Sequence, residues 1–253
     1  MMKKQIDLNC DLGESYGKYA SANDEVIMPY ISSCNIACGF HSGDPVTITK
    51  TIALAIENGV AIGAHPSYPD LQGFGRRVMN MTPEELKACV VYQVSALKGM
   101  AEAQGAKLHH VKPHGALYNH ASIDEASAIA FVEAIVEVSS DLLLYAPSRS
   151  KLSEVADNAG IKVCCEVFSD RSYDNNLRLR ARSMEGAVLH QKEEVINQLK
   201  IMIEEGEVVT YEGLTLPIEA DTVCLHSDTK GAEELAKEIH AFLKSIDVEI
   251  TAP

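Results

Sequence analysis

Short apolar runs alternate with helical patterns along nearly the whole chain, and this alternation constrains the fold more than any other feature. The runs, rich in β-branched residues, span residues 5–8, 33–37, 60–64, 108–112, 142–146, 162–168 and 222–225. Asp44 is placed to cap a helix with Pro45 at its first position, running to Asn58-Gly59. Thr82-Pro83-Glu84-Glu85 reads as a capping box that opens a helix to about Gln104-Gly105. Further helices are predicted over 122–138, 148–158, 191–205 and 229–246, the last with Leu235, Ile239, Phe242, Leu243 and Ile246 on one face. Strand, helix, strand in repetition predicts a parallel sheet with crossover helices. No Gly-x-Gly-x-x-Gly follows the first strand and no Gly-x4-Gly-Lys-Ser/Thr occurs, so dinucleotide-binding and P-loop folds lose their main support. About seven strands fit a β/α barrel better, although the pattern alone also admits a doubly wound sheet. Nothing divides the chain, so residues 1–253 read as a single domain. The long connections 66–81 and 169–190 have the length of functional lids or binding loops.

Charge narrows the function classes. With 22 basic and 36 acidic residues the net charge is −14, which repels nucleic acid and anionic lipid. A locally basic pocket for a small anion remains open. Trp is absent and aromatics are 6%, a poor basis for a sugar-stacking groove. No secretory leader or membrane-spanning run is apparent. The seven cysteines follow no disulfide or zinc-ribbon spacing, which predicts a reduced, cytoplasmic location.

The polar residues are informative by position, since six predicted strands are followed by ionisable or amide groups. The sets are Asp7, Asn9, Asp11 and Glu14; Asn35, Cys38, His41 and Asp44; His65 with Arg76 and Arg77; Lys112 and His114; Glu166, Asp170, Arg171 and Tyr173; His226 and Asp228. In a parallel barrel these ends converge on one face, where active sites are built. Asp7, Asn9 and Asp11 alternate, so they share a face, or else they cap turns. His110, Lys112 and His114 share a face by the same rule, and a lysine pointing into a barrel needs an anionic partner. Asp44 is read as a helix cap and the cysteines as core. His41, His65, His114 and His226 with Asp11 offer a His/carboxylate set, but no spacing fixes a metal site and no bound metal is assigned.

Several segments are long enough to carry a resemblance. Asp7-Leu-Asn-Cys-Asp-Leu-Gly-Glu14, Asn35-Ile-Ala-Cys-Gly-Phe-His41-Ser-Gly-Asp-Pro45, the stretch from Gly63 to Arg77, Val111-Lys-Pro-His-Gly-Ala-Leu-Tyr-Asn119, Glu166 with Asp170-Arg171-x-Tyr173, and Leu225-His-Ser-Asp228 resemble the LamB/YcsF family over nearly the whole chain. The chain departs from the family pattern at Ser169, at Ser227, and in lacking a glycine beside Asp174-Asn175-Asn176. The resemblance implies an irregular seven-stranded β/α barrel of the glycoside hydrolase/deacetylase type. It also implies ATP-dependent opening of 5-oxo-L-proline to L-glutamate, with Mg-ATP consumed and 5-oxoprolinase subunits B and C as partners.

A lactam is a resonance-stabilised amide, so its opening needs a base for water, an acid for the ring nitrogen and cations for anionic groups. Asp11, His41, His65, Lys112 and His114 are the expected catalytic set. Asn9, Arg76, Arg77, Glu166, Asp170, Arg171 and His226 are the expected substrate contacts. The rival readings are a stand-alone metal-dependent deacetylase or amidohydrolase, and a regulatory subunit without chemistry of its own.

Overall fold

The computed structural model describes residues 4–17, 24–227 and 231–253. Asp228, and the predicted start of the last helix at Thr229, lie outside the described residues. In chain order the elements are β1 (Lys4–Leu12), α1 (Asp24–Ile27), β2 (Ser33–Ala37), α2 (Pro45–Asn58), β3 (Ala61–His65), α3 (Pro83–Ala103), β4 (Leu108–Val111), α4 (Gly115–Ala121), α5 (Glu125–Val138) and β5 (Leu143–Ala146). They continue with α6 (Lys151–Asn158), β6 (Val163–Phe168), α7 (Lys192–Lys200), β7 (Glu207–Val209), β8 (Thr215–Pro217), β9 (Thr222–His226), α8 (Ala232–Ser245) and β10 (Val248–Ile250).

β1 to β6 pair in sequence order, β6 pairs with β9, and β9 returns to β1, all in parallel. This closes an irregular seven-stranded β/α barrel and settles the open choice against a doubly wound sheet. β10 adds a short parallel pairing beside the start of β1, and β7 with β8 forms a separate antiparallel hairpin.

Local chemistry sets the helix ends where the sequence says it should. Asp44 accepts from the Val46 and Thr47 amides, and Gly59 ends α2 at φ 67° in the left-handed conformation. Thr82 and Glu85 form the reciprocal capping box of α3. The last turn after α7 widens into a π turn over Ile201–Glu205. No helix among the described residues is long and apolar enough to cross a membrane.

β1 shows how the barrel is filled. Its outward side chains Leu8, Cys10 and Leu12 are buried against the helical layer, while the alternating Asp7, Asn9 and Asp11 point inward and are equally buried. The strand therefore continues to Leu12, four residues beyond the expected 5–8, because polar residues inside this barrel belong to the strand rather than to a turn. β/α barrels are usually filled by branched aliphatic side chains; this one carries a hydrogen-bonded polar column.

Candidate functional site

The column begins at the bottom of the barrel. Asp7 accepts from Ser32 Oγ at 2.6 Å, Ser33 Oγ at 2.7 Å and Thr222 Oγ1 at 2.5 Å. One level up, Asn9 Nδ2 donates to Thr222 Oγ1 at 2.7 Å and to Glu166 Oε1 at 3.1 Å. Asn35 Nδ2 donates to Asn9 Oδ1 at 2.7 Å and Asp11 Oδ1 at 2.9 Å, and Asn35 Oδ1 faces His110 Nε2 at 2.8 Å. The His110 ring lies flat on Tyr145, with centroids 3.9 Å apart. Gly63 makes this possible: a Cβ there would stand 2.0 Å from His110 Nε2.

Above this column sits the charged centre. Lys112, 2% exposed, places Nζ 2.9 Å from Asp11 Oδ1 and 2.8 Å from Glu166 Oε1. Nζ also contacts Cys224 Sγ at 3.0 Å and lies 5.3 Å from the Phe168 ring centroid. Burial pushes the Lys112 amine down, but Asp11, Cys224 and Glu166 override it and hold the ammonium well above its ordinary range. Burial likewise raises the Asp11 carboxyl, and His65 and Lys112 outweigh it, keeping Asp11 well below the usual carboxylate range. The anionic partner that a buried lysine demands is thus supplied twice, by Asp11 and Glu166.

The imidazoles gather on the other side of Asp11. His65 Nε2 is 3.3 Å from Asp11 Oδ2 and 3.0 Å from His114 Nδ1. His114 and His41 stack with centroids 3.7 Å apart, and His41 Nε2 is 3.2 Å from Glu14 Oε1. Burial, followed by the neighbouring imidazoles, lowers both the His41 and His114 pKa values well below normal.

The 66–81 connection folds over this group. The Phe74 carbonyl accepts from His114 Nε2 at 2.8 Å, and Gly75, at φ 63°, lies where a Cβ would come within 2.7 Å of the His114 ring. The 169–190 connection forms the opposite rim. Asp170 lies 3.0 Å from His226 Nδ1; burial raises its carboxyl, but His226, Arg171 and Arg182 win and hold it below normal. Arg171 donates to the Ala187 and Arg180 carbonyls, so most of its role is to hold this loop in shape.

A cavity of about 350 Å³ opens over the centre, within the range usual for small-molecule sites. Asp11, His65, Lys112 and His114 line its floor; Arg76, Arg171 and His226 line its wall. Of the other expected residues, His41 stands one ring behind His114, and Asn9 lies below the cavity in the column. Glu166 and Asp170 support Lys112 and His226. Arg77 does not line this cavity: it pairs with Asp70 and is 63% exposed, so its expected substrate contact is replaced by a loop clamp.

Sequence reasoning does not find Arg180 and Arg182, which the structure adds to the cavity wall, nor the place of Glu14 in the imidazole cluster. The alternating arginines of Arg178-Leu-Arg180-Ala-Arg182, in a chain of charge −14, are the available signal. Tyr118, Asn119, Phe168, Leu179 and Ala181 line both this cavity and a second one of about 580 Å³.

The arrangement provides an ionised carboxylate, a fixed ammonium and a group of imidazoles, of which burial disfavours the charged forms of His41 and His114, beside a cationic wall. That set can move protons at, and hold an anion over, one point at the C-terminal end of the barrel.

Known proteins resemble the chain in sequence and in fold. The sequence profile of the LamB/YcsF family matches residues 6–253. A protein of Acinetobacter baumannii named as the A subunit of 5-oxoprolinase is 49% identical over 245 residues, covering 97% of this chain and 96% of that protein. One of the same name from Bordetella pertussis is 47% identical over 251 residues, covering 99% and 100%. The crystal structure of a lactam utilization protein from Thermus thermophilus superposes with a TM-score of 0.93 at 42% identity, over 98% of this chain and all of the other. A putative cellobiose-phosphate cleavage protein of Enterococcus faecalis shares only the fold, at 13% identity and a TM-score of 0.56 over 98% and 97% of the two chains.

Proposed function

The chain belongs to the LamB/YcsF family, and from that footing we propose that it is the A subunit of an ATP-dependent 5-oxoprolinase, opening 5-oxo-L-proline to L-glutamate together with subunits B and C. The observation that carries this reading is the cavity itself. A floor of Asp11, Lys112, His65 and His114 faces a wall of Arg76, Arg171, Arg180 and Arg182 within a strongly acidic protein. Such a site suits a small, negatively charged substrate with an amide to be cleaved. The near full-length likeness to proteins named as 5-oxoprolinase A subunits supports the same substrate.

In this proposal the wall arginines hold the carboxylate of 5-oxoproline and the phosphate that activates the lactam oxygen. Mg-ATP would supply that phosphate, releasing ADP and making the ring carbon more electrophilic; after water adds and the C–N bond breaks, the phosphoryl group leaves as inorganic phosphate to give glutamate. Asp11 stays ionised and accepts the proton of the attacking water. An imidazole, His65 or His114, relays a proton toward the departing ring nitrogen. Lys112 holds Asp11 in place and supplies positive charge as the oxyanion develops. The free thiols fit a reducing, cytoplasmic compartment.

The test is reconstitution. Glutamate formation from 5-oxoproline is measured with ATP, first with this chain alone and then with subunits B and C present. The proposal expects ATP-dependent glutamate only in the complete mixture. Turnover by the two partners without this chain would remove its role, and ATP-independent turnover by this chain alone would favour a stand-alone amidohydrolase.

A further inference from the structure

The imidazole cluster has a hydrogen-bonding imbalance that ring opening does not explain. His65 Nδ1 lies 2.8 Å from the Lys112 carbonyl and His114 Nε2 lies 2.8 Å from the Phe74 carbonyl. A carbonyl only accepts, so each imidazole directs its N–H outward to the backbone. The two remaining nitrogens, His65 Nε2 and His114 Nδ1, then face each other as lone pairs at 3.0 Å. Carboxylate oxygens flank them: Asp11 Oδ2 is 3.3 Å from His65 Nε2, and Glu14 Oε1 is 3.6 Å from His114 Nδ1. Lys112 does not relieve the imbalance, because it and Asn35 both go to the other Asp11 oxygen, Oδ1. Acceptors brought together in this way call for a cation among them.

We propose that His65 Nε2 and His114 Nδ1, flanked by the carboxylates of Glu14 and Asp11, form a binding site for one divalent transition-metal ion. Successive donor atoms in the row Asp11, His65, His114, Glu14 are 3.0 to 3.6 Å apart, the spacing of neighbours sharing an ion at about 2.0–2.2 Å, and ligand atoms of Glu14, His65 and His114 all lie within 4.8 Å of one another. Each ligating ring is also backed by a carbonyl on its far nitrogen, the outer contact that fixes tautomer and orientation in metal sites. Mixed imidazole and carboxylate donors suit zinc, manganese, iron or cobalt better than magnesium or calcium, which favour oxygen alone.

His41 belongs to the same cluster of ligand-type residues, but its ring lies parallel to His114 at 3.7 Å with only 5° between planes. One ion cannot lie in the planes of two stacked rings, so His41 supports Glu14 instead of ligating. His65 and His114 both border the cavity, which leaves one side of the ion open to a small molecule. The sequence alone assigns no bound metal and leaves the question open. The test of this site does not depend on turnover, and in the metal-bound state His65 and His114 act as ligands in place of the proton relay assigned to them in the 5-oxoprolinase reading.

The full chain is stripped with chelator, dialysed, and titrated separately with Co(II), Zn(II) and Mn(II). Binding is followed by calorimetry, metal analysis and, for Co(II), visible ligand-field absorption. One ion per chain is expected for at least one of the three metals, with Co(II) bands of low coordination number. His65→Gln with His114→Gln is expected to weaken binding at least 100-fold, whereas His41→Phe, which preserves the stack, stays within about tenfold. Circular dichroism melts identify any variant that fails to fold, and a misfolded double variant is replaced by His114→Gln alone. No stoichiometric uptake of any of the three metals, or unchanged uptake by folded His114→Gln, overturns the proposal. So does ¹⁵N NMR showing a proton on both His65 nitrogens after metal addition, since a shared proton then fills the gap.

Discussion

At the residue scale, Lys112 is a buried cation held by two buried carboxylates. It is buried between Asp11 and Glu166, and its removal leaves two carboxylates without their common cation. Breaking one partner of a buried pair costs about 3–5 kcal/mol. Lys112→Met is therefore expected to lower the melting temperature by about 6–20 °C, at roughly 2–4 °C per kcal/mol for a chain of this size. A thermal melt checks this, and an unchanged melting temperature would make Lys112 a ligand contact with no structural role. The residue is legible in sequence because His110, Lys112 and His114 alternate, and a lysine on an inward face must find an anion. Arg77 is not legible in the same way: adjacency to Arg76 does not reveal that Asp70, seven residues earlier, turns Arg77 away from the cavity.

At the scale of elements, agreement between sequence and structure follows the strength of local chemistry. α2 falls where Asp44, Pro45 and Gly59 place it, and β2 spans the expected residues. α4 escapes sequence reasoning because it starts at Gly115 after His114, which makes no side-chain cap. The β7–β8 hairpin escapes it because each strand has only three residues and little periodicity. The floor of the cavity can be read from strand ends, whereas Arg180 and Arg182 sit in a loop whose course depends on tertiary contacts such as the Arg171–Val188 and Tyr173–Leu179 bridges. The floor also has a steric requirement. At Gly63 the His110 imidazole occupies the place of a side chain, so Gly63→Ala should overpack the barrel and cost about 3 kcal/mol or more, at or above the top of the usual range for such changes. Urea unfolding checks this through a lower midpoint, and a midpoint equal to that of the parent chain would mean that His110 moves freely.

For the whole molecule, burial separates chemistry from packing. All seven cysteines are free, yet only Cys89 and Cys165 are even partly exposed, and burial pushes their thiols up to about 11 and about 12. Thiolates are the reactive form, so native protein at pH 7 is expected to alkylate slowly at two sites at most, with all seven reacting after denaturation; mass spectrometry of iodoacetamide-treated protein counts them. Rapid modification of Cys224 would contradict the closed centre described here. The chemistry that remains accessible is concentrated at one end of the barrel, where inward-facing polar residues of β1, β3 and β4 meet two long loops. The decisive measurement is turnover by the reconstituted complex containing Asp11→Asn. The substitution keeps the shape of the side chain and leaves Lys112 paired with Glu166, but removes the basic carboxylate. The account predicts a folded, intact complex, its melting temperature lowered by the lost Asp11–Lys112 pair, and glutamate formation reduced at least 100-fold, about 2.7 kcal/mol of transition-state stabilisation. A loss of less than tenfold in an intact complex would show that Asp11 is structural and that the ring opens elsewhere.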